Sequence, residues 1–233
     1  MGLTNMKAMI LAAGLGSRLQ PLTKTVPKPM LLVCGKPLLQ WHIERLVRAG
    51  VREVVVNTSW LGEQIQDYFG TGVDFGITIT WSSEAEPLET GGGIFKALHL
   101  FGDDPFILVS ADIWTDFPLE SFLKKNIDSP LSAHLVLVKN PEHNKGGDFS
   151  LENYIVGYGQ ERYTYSGISI VSSQLFNSLK ITSEVFPLRE VLQPAISSGR
   201  VSGEIYTGDW CDVGTIGRYN NLNKRLLETI NGV

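Results

Sequence analysis

The sequence predicts an α/β fold, a three-layer sandwich built on a mostly parallel but mixed sheet. Two patterns carry that prediction. From residue 7 to Asp112, short apolar runs alternate with segments whose apolar residues recur at helical spacing, in the order β-α-β-α-β-α-β. Links of a few residues between such units specify parallel strands with helices on both faces. Beyond Asp112 the alternation lapses into strands that need not be parallel, which predicts a mixed extension of the same sheet. No repeat, low-complexity tract or break in composition divides the 233 residues, so one domain is expected.

Residues 7–13 are nearly all apolar and read as a central strand buried on both faces. After a Pro-rich link, Leu39, Ile43, Leu46 and Val47 repeat at helical spacing, and Gly50 closes that helix. Residues 51–58 form a second strand. Residues 60–69 form a helix with Leu61, Ile65 and Phe69 four apart, ended by Gly70. Residues 77–81 give a third strand, and 92–101 a helix with Ile94, Ala97, Leu98 and Phe101 inward. Residues 106–110 are a fourth, apolar strand running into Asp112. Further strands are expected at 133–139, 149–156, 165–172 and 201–210, with helices at 187–197 and 218–230. Ligands of such sheets lie outside the carboxyl ends of the strands. Residues 12–18 and Asp112 both lie at such ends, so one crevice can hold both.

Composition sets outer limits. Apolar residues make up 43% and charged residues 19% of the chain, enough for an ordinary globular core. A net charge of −4 argues against a nucleic-acid-binding surface. No apolar run is long enough to span a bilayer, so no membrane partner is expected. The first residues lack the layout of a signal peptide, which makes the cytoplasm the expected location and residues 1–5 a tail. Cys34 and Cys211 stand far apart and read as two separate thiols. His42, His99, His134 and His143 show no metal-binding or relay spacing.

The most informative stretch is residues 9–30. A short strand feeds Ala12-Ala13-Gly14-Leu15-Gly16, where glycines leave backbone N–H groups uncovered for an anion such as a phosphate chain. Arg18 and Lys28 bring two positive charges to the same neighbourhood. A dinucleotide fingerprint would need a third glycine where Leu19 stands, and a Walker A loop would need G-x-x-x-x-G-K-[ST], which is missing. The glycines alone fit a tight strand-to-helix turn equally well.

The longer pattern is more restrictive. Ala13-Gly14-Leu15-Gly16-Ser17-Arg18-Leu19-Gln20-Pro21-Leu22-Thr23, followed by Pro27-Lys28-Pro29, resembles the signature of the sugar-1-phosphate nucleotidyltransferases. The resemblance implies a Rossmann-like fold of the nucleotide-diphospho-sugar transferase type. It also implies UTP or another nucleoside triphosphate and a sugar 1-phosphate as substrates. That chemistry joins two polyanions, and the sugar phosphate is already ionised, so positioning and electrostatics should supply most of the rate. The Ala12–Gly16 backbone and Arg18 would then grip the triphosphate, and Lys28 would neutralise charge near the reacting phosphates. The resemblance gives Mg²⁺ to Asp112, after the fourth strand, and to Asp212, in Trp210-Cys211-Asp212-Val213-Gly214-Thr215. On residue type alone Asp112 also suits a helix cap or turn, Asp209 suits a surface turn, and Asp116 suits an N-cap for the segment after Pro118.

By the same resemblance residues 84–91 read the base, through Glu84, Glu89, Thr90 and Gly91. Many members carry Gln where Glu84 stands and Gly where Glu89 stands. Gly147, Asp148 and Gly167 fall where the family binds the sugar, although Asn144-Lys145-Gly146-Gly147-Asp148 also suits a hairpin turn. A Lys that often holds the sugar phosphate is missing, and Arg162 stands near its place. Within the family, residues 86–98, 112–117, 140–149 and 165–170 resemble the uridylyltransferases of cell-wall recycling that act on N-acetylmuramate 1-phosphate. Residues 6–116 would then be the nucleotide half and 117–233 the sugar half. Other pairs within the family, glucose or mannose 1-phosphate with UTP, dTTP or GTP, remain open. So does a non-catalytic nucleotide-sugar sensor, although such a protein would be expected to lose Arg18, Lys28, Asp112 and Asp212. The spacing is silent on oligomeric state.

Overall fold

The computed structural model describes residues 6–125, 131–176 and 183–230; the expected tail, residues 1–5, lies outside them. The first strand, β1 (Ala8–Leu11), sits inside the sheet, paired in parallel with β4 (Glu53–Thr58) on one side and β6 (Phe106–Ser110) on the other. Between β1 and β4 come a small antiparallel pair, β2 (Leu32–Val33) and β3 (Lys36–Pro37), and the helix α1 (Leu38–Ala49). Helix α2 (Gly62–Phe69) leads to the edge strand β5 (Thr78–Ser83), which pairs in parallel with β4. Helix α3 (Glu89–Ala97) leads back to β6. The short β7 (Ile113–Thr115) leaves the main sheet.

The second half continues the sheet with mixed directions. Strands β8 (Ala133–Val138), β9 (Ser150–Glu152), β10 (Ile155–Gly157) and β11 (Thr164–Val171) follow. Then come helix α4 (Leu188–Ser197), strands β12 (Val201–Tyr206) and β13 (Trp210–Asp212), and helix α5 (Ile216–Ile230). The nine-stranded order is β5-β4-β1-β6-β11-β8-β12-β10-β9. Strand β11 runs antiparallel to β6 and to β8, while β12 is parallel to β8, so the parallel half passes into the mixed half at β6–β11.

Alternation along β1 shows why this sheet needs two covers. Ala8 and Ile10 join a core with Leu39, Ile43 and Leu46 of α1 and Ile65 and Phe69 of α2. Met9 points the other way, to Ile94 and Ala97 of α3 and Val191, Leu192 and Ala195 of α4. A third, smaller cluster ties Val213, Leu222 and Leu226 to Val33 and Leu38, docking α5 on the β2–β3 pair.

Four local expectations are corrected. Helix α3 begins at Glu89, not residue 92, so Gly91, Gly92 and Gly93 are inside it; it passes into a 3₁₀ turn at Leu98–Leu100. Tertiary contact overrides their poor helix propensity. A Cβ on Gly91 would stand 2.5 Å from Phe186 Cδ2, and one on Gly92 would meet the Glu184 carbonyl oxygen. Residues 149–156 are two strands, because Asn153 and Tyr154 take left-handed conformations (φ 49° and 67°) and make a hairpin turn. Residues 201–210 likewise divide between β12 in the main sheet and β13, which pairs antiparallel with β7. Asp116 caps no helix: Pro118 precedes the 3₁₀ segment Leu119–Lys124. The Asp116 carboxylate instead accepts from Tyr206 Oη (2.5 Å) and the Asp209 amide (2.7 Å), spanning the β12–β13 connection.

Candidate active site

The loop after β1 is shaped by two anchors. Asn57, at the end of β4, accepts the Ala12 amide on Oδ1 (2.8 Å) and donates through Nδ2 to Glu84 Oε1 (2.6 Å). Gly16 adopts φ +64°, where a Cβ would lie 2.9 Å from Thr23 Cγ2, and its carbonyl accepts from Thr23 Oγ1 (2.8 Å). Between those anchors, among the described residues, the amides of residues 13–17 donate to no protein acceptor. Arg18 is exposed and forms no hydrogen bond or ion pair among the described residues. The result is a short row of free N–H donors beside a free guanidinium, an arrangement suited to anionic oxygens.

Lys28 sits between buried Pro27 and Pro29 and is itself only 8% exposed. Its Nζ donates to Asp112 Oδ2 at 2.7 Å. Burial alone would push the Asp112 carboxyl up, but the charge and hydrogen bond of Lys28 together outweigh it and hold the group below the usual carboxylate range. Asp112 is therefore ionised at neutral pH, with 42% of its side chain still open to the cleft.

The β7–β13 ladder brings the second carboxylate to the first. Asp212 pairs with Ile113, and the Val213 amide donates to the Asp112 carbonyl (2.7 Å), so Asp212 at the end of β13 lies beside Asp112 in the turn that opens β7. Arg218 approaches Asp212 Oδ2 at 2.8 Å and His143 Nε2 approaches Oδ1 at 3.0 Å. Neither contact has hydrogen-bond geometry, for Asp212 Oδ1 and Arg218 Nη2 are both buried with no hydrogen-bonding partner. Among the described residues no group of three or more acidic, His or Cys side chains could hold a metal ion. A metal at this place would rest on the two carboxylates and on substrate oxygens. Hard oxygen donors with an unsatisfied carboxylate oxygen fit Mg²⁺, which is characteristically bound by one or two carboxylates plus phosphate oxygens.

Two cavities meet at Asp112. The first, about 380 Å³, is floored by residues 11–19 and walled by Lys28, Asn57, Glu84 and Glu89. The second, about 900 Å³, opens over the mixed half of the sheet, with Asp148, Tyr165, Gly167, Trp210 and Asp212 among its lining residues. Arg18, Thr90, Ser110 and Asp112 line both. One cleft can thus hold two ligands that meet at Asp112, an arrangement suited to transfer of a group between them.

Residues 7–149 match the nucleotidyl transferase family. The chain belongs to that family. It is 46% identical over 220 residues to an N-acetylmuramate alpha-1-phosphate uridylyltransferase of Neisseria meningitidis, with 91% of this chain and 95% of that protein covered. A mannose-1-phosphate guanylyltransferase catalytic subunit beta of Danio rerio is 33% identical over 90% of this chain, which spans 61% of that relative's length. Two solved structures share the fold at lower identity. One is a Bacillus anthracis protein described as a glucose-1-phosphate thymidylyltransferase in complex with sucrose (TM-score 0.85, 19% identical, 94% of each chain covered). The other is HddC of Yersinia pseudotuberculosis complexed with GMP-PN (TM-score 0.78, 22% identical, 95% of this chain and 99% of that one).

Within this nucleotidyltransferase several expected base contacts are engaged in the protein itself. Both Glu84 oxygens accept internally, one from Asn57 and the other from the Leu88 amide (2.9 Å), and the residue is 5% exposed. It braces the loop rather than offering a free carboxylate. The Gly91 amide donates to Phe186, and Thr90 Oγ1 accepts the Leu188 amide (2.9 Å), tying α3 to the start of α4. Glu89 does face the first cavity, in a left-handed conformation (φ 59°) that glycine adopts without strain.

On the sugar side, Asp148 accepts the Tyr165 amide on Oδ2 (2.8 Å) and Asn144 Nδ2 on Oδ1 (3.2 Å), at the cavity wall. Gly147 (φ 62°) lies where a Cβ would strike the Arg162 backbone at 2.8 Å. Gly167 (φ 84°) sits at the irregularity in the β11–β8 register and passes 2.9 Å from Ser110 Oγ by the same measure. Arg162 turns away, donating to the carbonyls of Gly159 and Tyr158. Asn57, His143 and Arg218 were not singled out from the sequence as site residues. An amide closing a buried apolar strand was a usable signal for Asn57; His143 and Arg218 reach Asp212 only through the fold.

Proposed function

We propose that the protein is a cytoplasmic, Mg²⁺-dependent uridylyltransferase of peptidoglycan recycling. It would join UTP and N-acetylmuramic acid 1-phosphate to give UDP-N-acetylmuramic acid and pyrophosphate. The observation that carries the chemistry is the shared wall between the cavities at Asp112, whose partner Lys28 lines the first cavity while Asp212 lines the second. The 46% identity over nearly the whole length of the Neisseria uridylyltransferase supports this substrate pair.

In this reading residues 6–116 hold the nucleotide and 117–233 the sugar. The free amides of residues 13–16, with Arg18, bind the triphosphate oxygens, and the backbone at Ala12 is set by Asn57. Glu89, Thr90 and the Glu84-braced turn flank the base. Lys28, fixed by its neighbouring prolines, offsets negative charge where the sugar phosphate meets the α-phosphorus. Gly147, Asp148 and Gly167 shape the sugar wall. Asp112 and Asp212 hold Mg²⁺, which when bound supplies positive charge to the reacting phosphates. Arg218 and His143 flank Asp212 and hold its carboxylate in place. No general base is required, because the attacking phosphate oxygen is already anionic.

The test is pyrophosphate release across a matrix of UTP, dTTP and GTP against the 1-phosphates of N-acetylmuramate, glucose and mannose. The expected maximum is UTP with N-acetylmuramate 1-phosphate, abolished by a chelator and restored by Mg²⁺. A maximum with GTP and mannose 1-phosphate would instead favour the reading suggested by the 33% identity to the Danio rerio relative. No release with any pair would leave a non-catalytic nucleotide-sugar sensor.

A further inference from the structure

The second cavity contains a cation that the transfer chemistry does not use. Arg189, in the first turn of α4, lines that cavity, is exposed, and forms no ion pair or hydrogen bond among the described residues. Gln193, one helical turn further on, lines the same wall. The spacing i to i+4 puts a guanidinium and an amide on one helix face. Arg18 lines both cavities and so belongs to the junction where phosphates meet, whereas Arg189 lines only the second. Arg162, near the position expected for a sugar-phosphate lysine, is engaged with backbone carbonyls.

The acidic groups of this cavity are already committed. Asp112 pairs with Lys28, Asp148 accepts from Tyr165 and Asn144, and Asp212 faces Arg218 and His143. An unpaired guanidinium remains at a distance from the reacting centre, with an amide donor beside it. We infer that Arg189 and Gln193 form a carboxylate subsite, which reads an acidic substituent on the acceptor sugar separately from its phosphate. This rests on the proposed substrate, whose lactyl ether carries such a carboxylate. Arg suits the task because its planar fork can donate two parallel hydrogen bonds to one carboxylate.

The test compares Arg189→Met and Arg189→Lys with the wild-type enzyme, all checked for equal melting temperature. The readouts are KM for N-acetylmuramate 1-phosphate and the inhibition constant of N-acetylglucosamine 1-phosphate, which lacks the acidic ether. Loss of a charge-assisted bond should raise KM in Arg189→Met by about 10- to 100-fold. The inhibition constant should not follow, and Arg189→Lys should recover part of the loss. An unchanged KM overturns the subsite. Equal weakening of both sugars also overturns it, because Arg189 would then hold the shared phosphate. Wild-type enzyme that turns over N-acetylglucosamine 1-phosphate as well as the acid overturns the subsite while leaving uridylyl transfer standing. Absence of turnover with N-acetylmuramate 1-phosphate and UTP overturns the proposed function itself.

Discussion

Asp112 and Lys28 carry opposite charges 2.7 Å apart, and the fold exposes them unequally: Lys28 is packed between prolines while Asp112 opens to the cleft. The pair holds Asp112 ionised and leaves one of its oxygens for a ligand. Replacing Asp112 with Asn keeps an oxygen that Lys28 can bond while removing the charge. Turnover is expected to fall by about 10²–10³-fold, the scale of losing one preorganised electrostatic contact. Because the pair is partly exposed and screened, unfolding free energy should change by only about 1 kcal/mol. Steady-state kinetics beside urea unfolding separates the two effects, and an Asp112→Asn enzyme of full activity would remove Asp112 from the metal site. Asp112 was legible as a candidate because a carboxylate at the end of the apolar run Phe106–Ser110 has little packing purpose. Its partner was not, since 84 residues separate Lys28 from Asp112.

Helix α3 illustrates what glycine does within an element. The helix expected to start at residue 92 takes in all three consecutive glycines on its buried side, Gly91 and Gly92 pressed against residues 184–186 and Gly93 against Glu84 and Asn57. Gly92→Ala should therefore destabilise the protein by about 1–3 kcal/mol, since overpacking against a backbone carbonyl outweighs the better helix propensity of alanine. Gly217→Ala provides the opposite case. Gly217 lies in α5, exposed and with no atom within 4 Å of a Cβ, so the substitution should stabilise by about 0.5–1 kcal/mol. Thermal melts of both variants test the assignment, and stabilisation by both would mean that α3 does not press on residues 184–186. The split of residues 149–156 and 201–210 into separate strands has a similar origin. Apolar content marks an extended segment but not the tight hairpin turn at Asn153-Tyr154, and the exchange of β13 onto β7 depends on a partner far along the chain.

At the scale of the whole molecule, His42 couples the outer helix layer to the catalytic edge. It is 3% exposed on α1, and its Nε2 donates to the Ile113 carbonyl (2.9 Å), one residue from Asp112. Burial, with a smaller contribution from Arg45, lowers its pKa to about 4. The folded state thus binds fewer protons than the unfolded state between about pH 4 and the ordinary His value near 6.5. The stabilisation is fully present above pH 6.5 and is lost as pH falls towards 4, by about 3 kcal/mol from this group. Denaturant unfolding between pH 7 and pH 4 should show that loss in the wild-type protein and a shallower one in His42→Gln. Parallel pH curves would assign the acid sensitivity to other groups.

The sequence alone determined the β-α alternation of the first half, because helical and strand periodicities are local and the central strands β1 and β6 are almost wholly apolar. It also determined the loop at residues 12–18 and the aspartates at strand ends, because these motifs are contiguous or abut recognisable strands. Only the tertiary structure decided which amides and carboxylates were still free. Asn57 takes the Ala12 amide, Glu84 is spent on Asn57 and Leu88, and Gly91 on Phe186, while residues 13–17 and Arg189 keep their donors. A residue's type states what it can bond. Whether that capacity remains for a ligand depends on neighbours that folding brings from elsewhere in the chain.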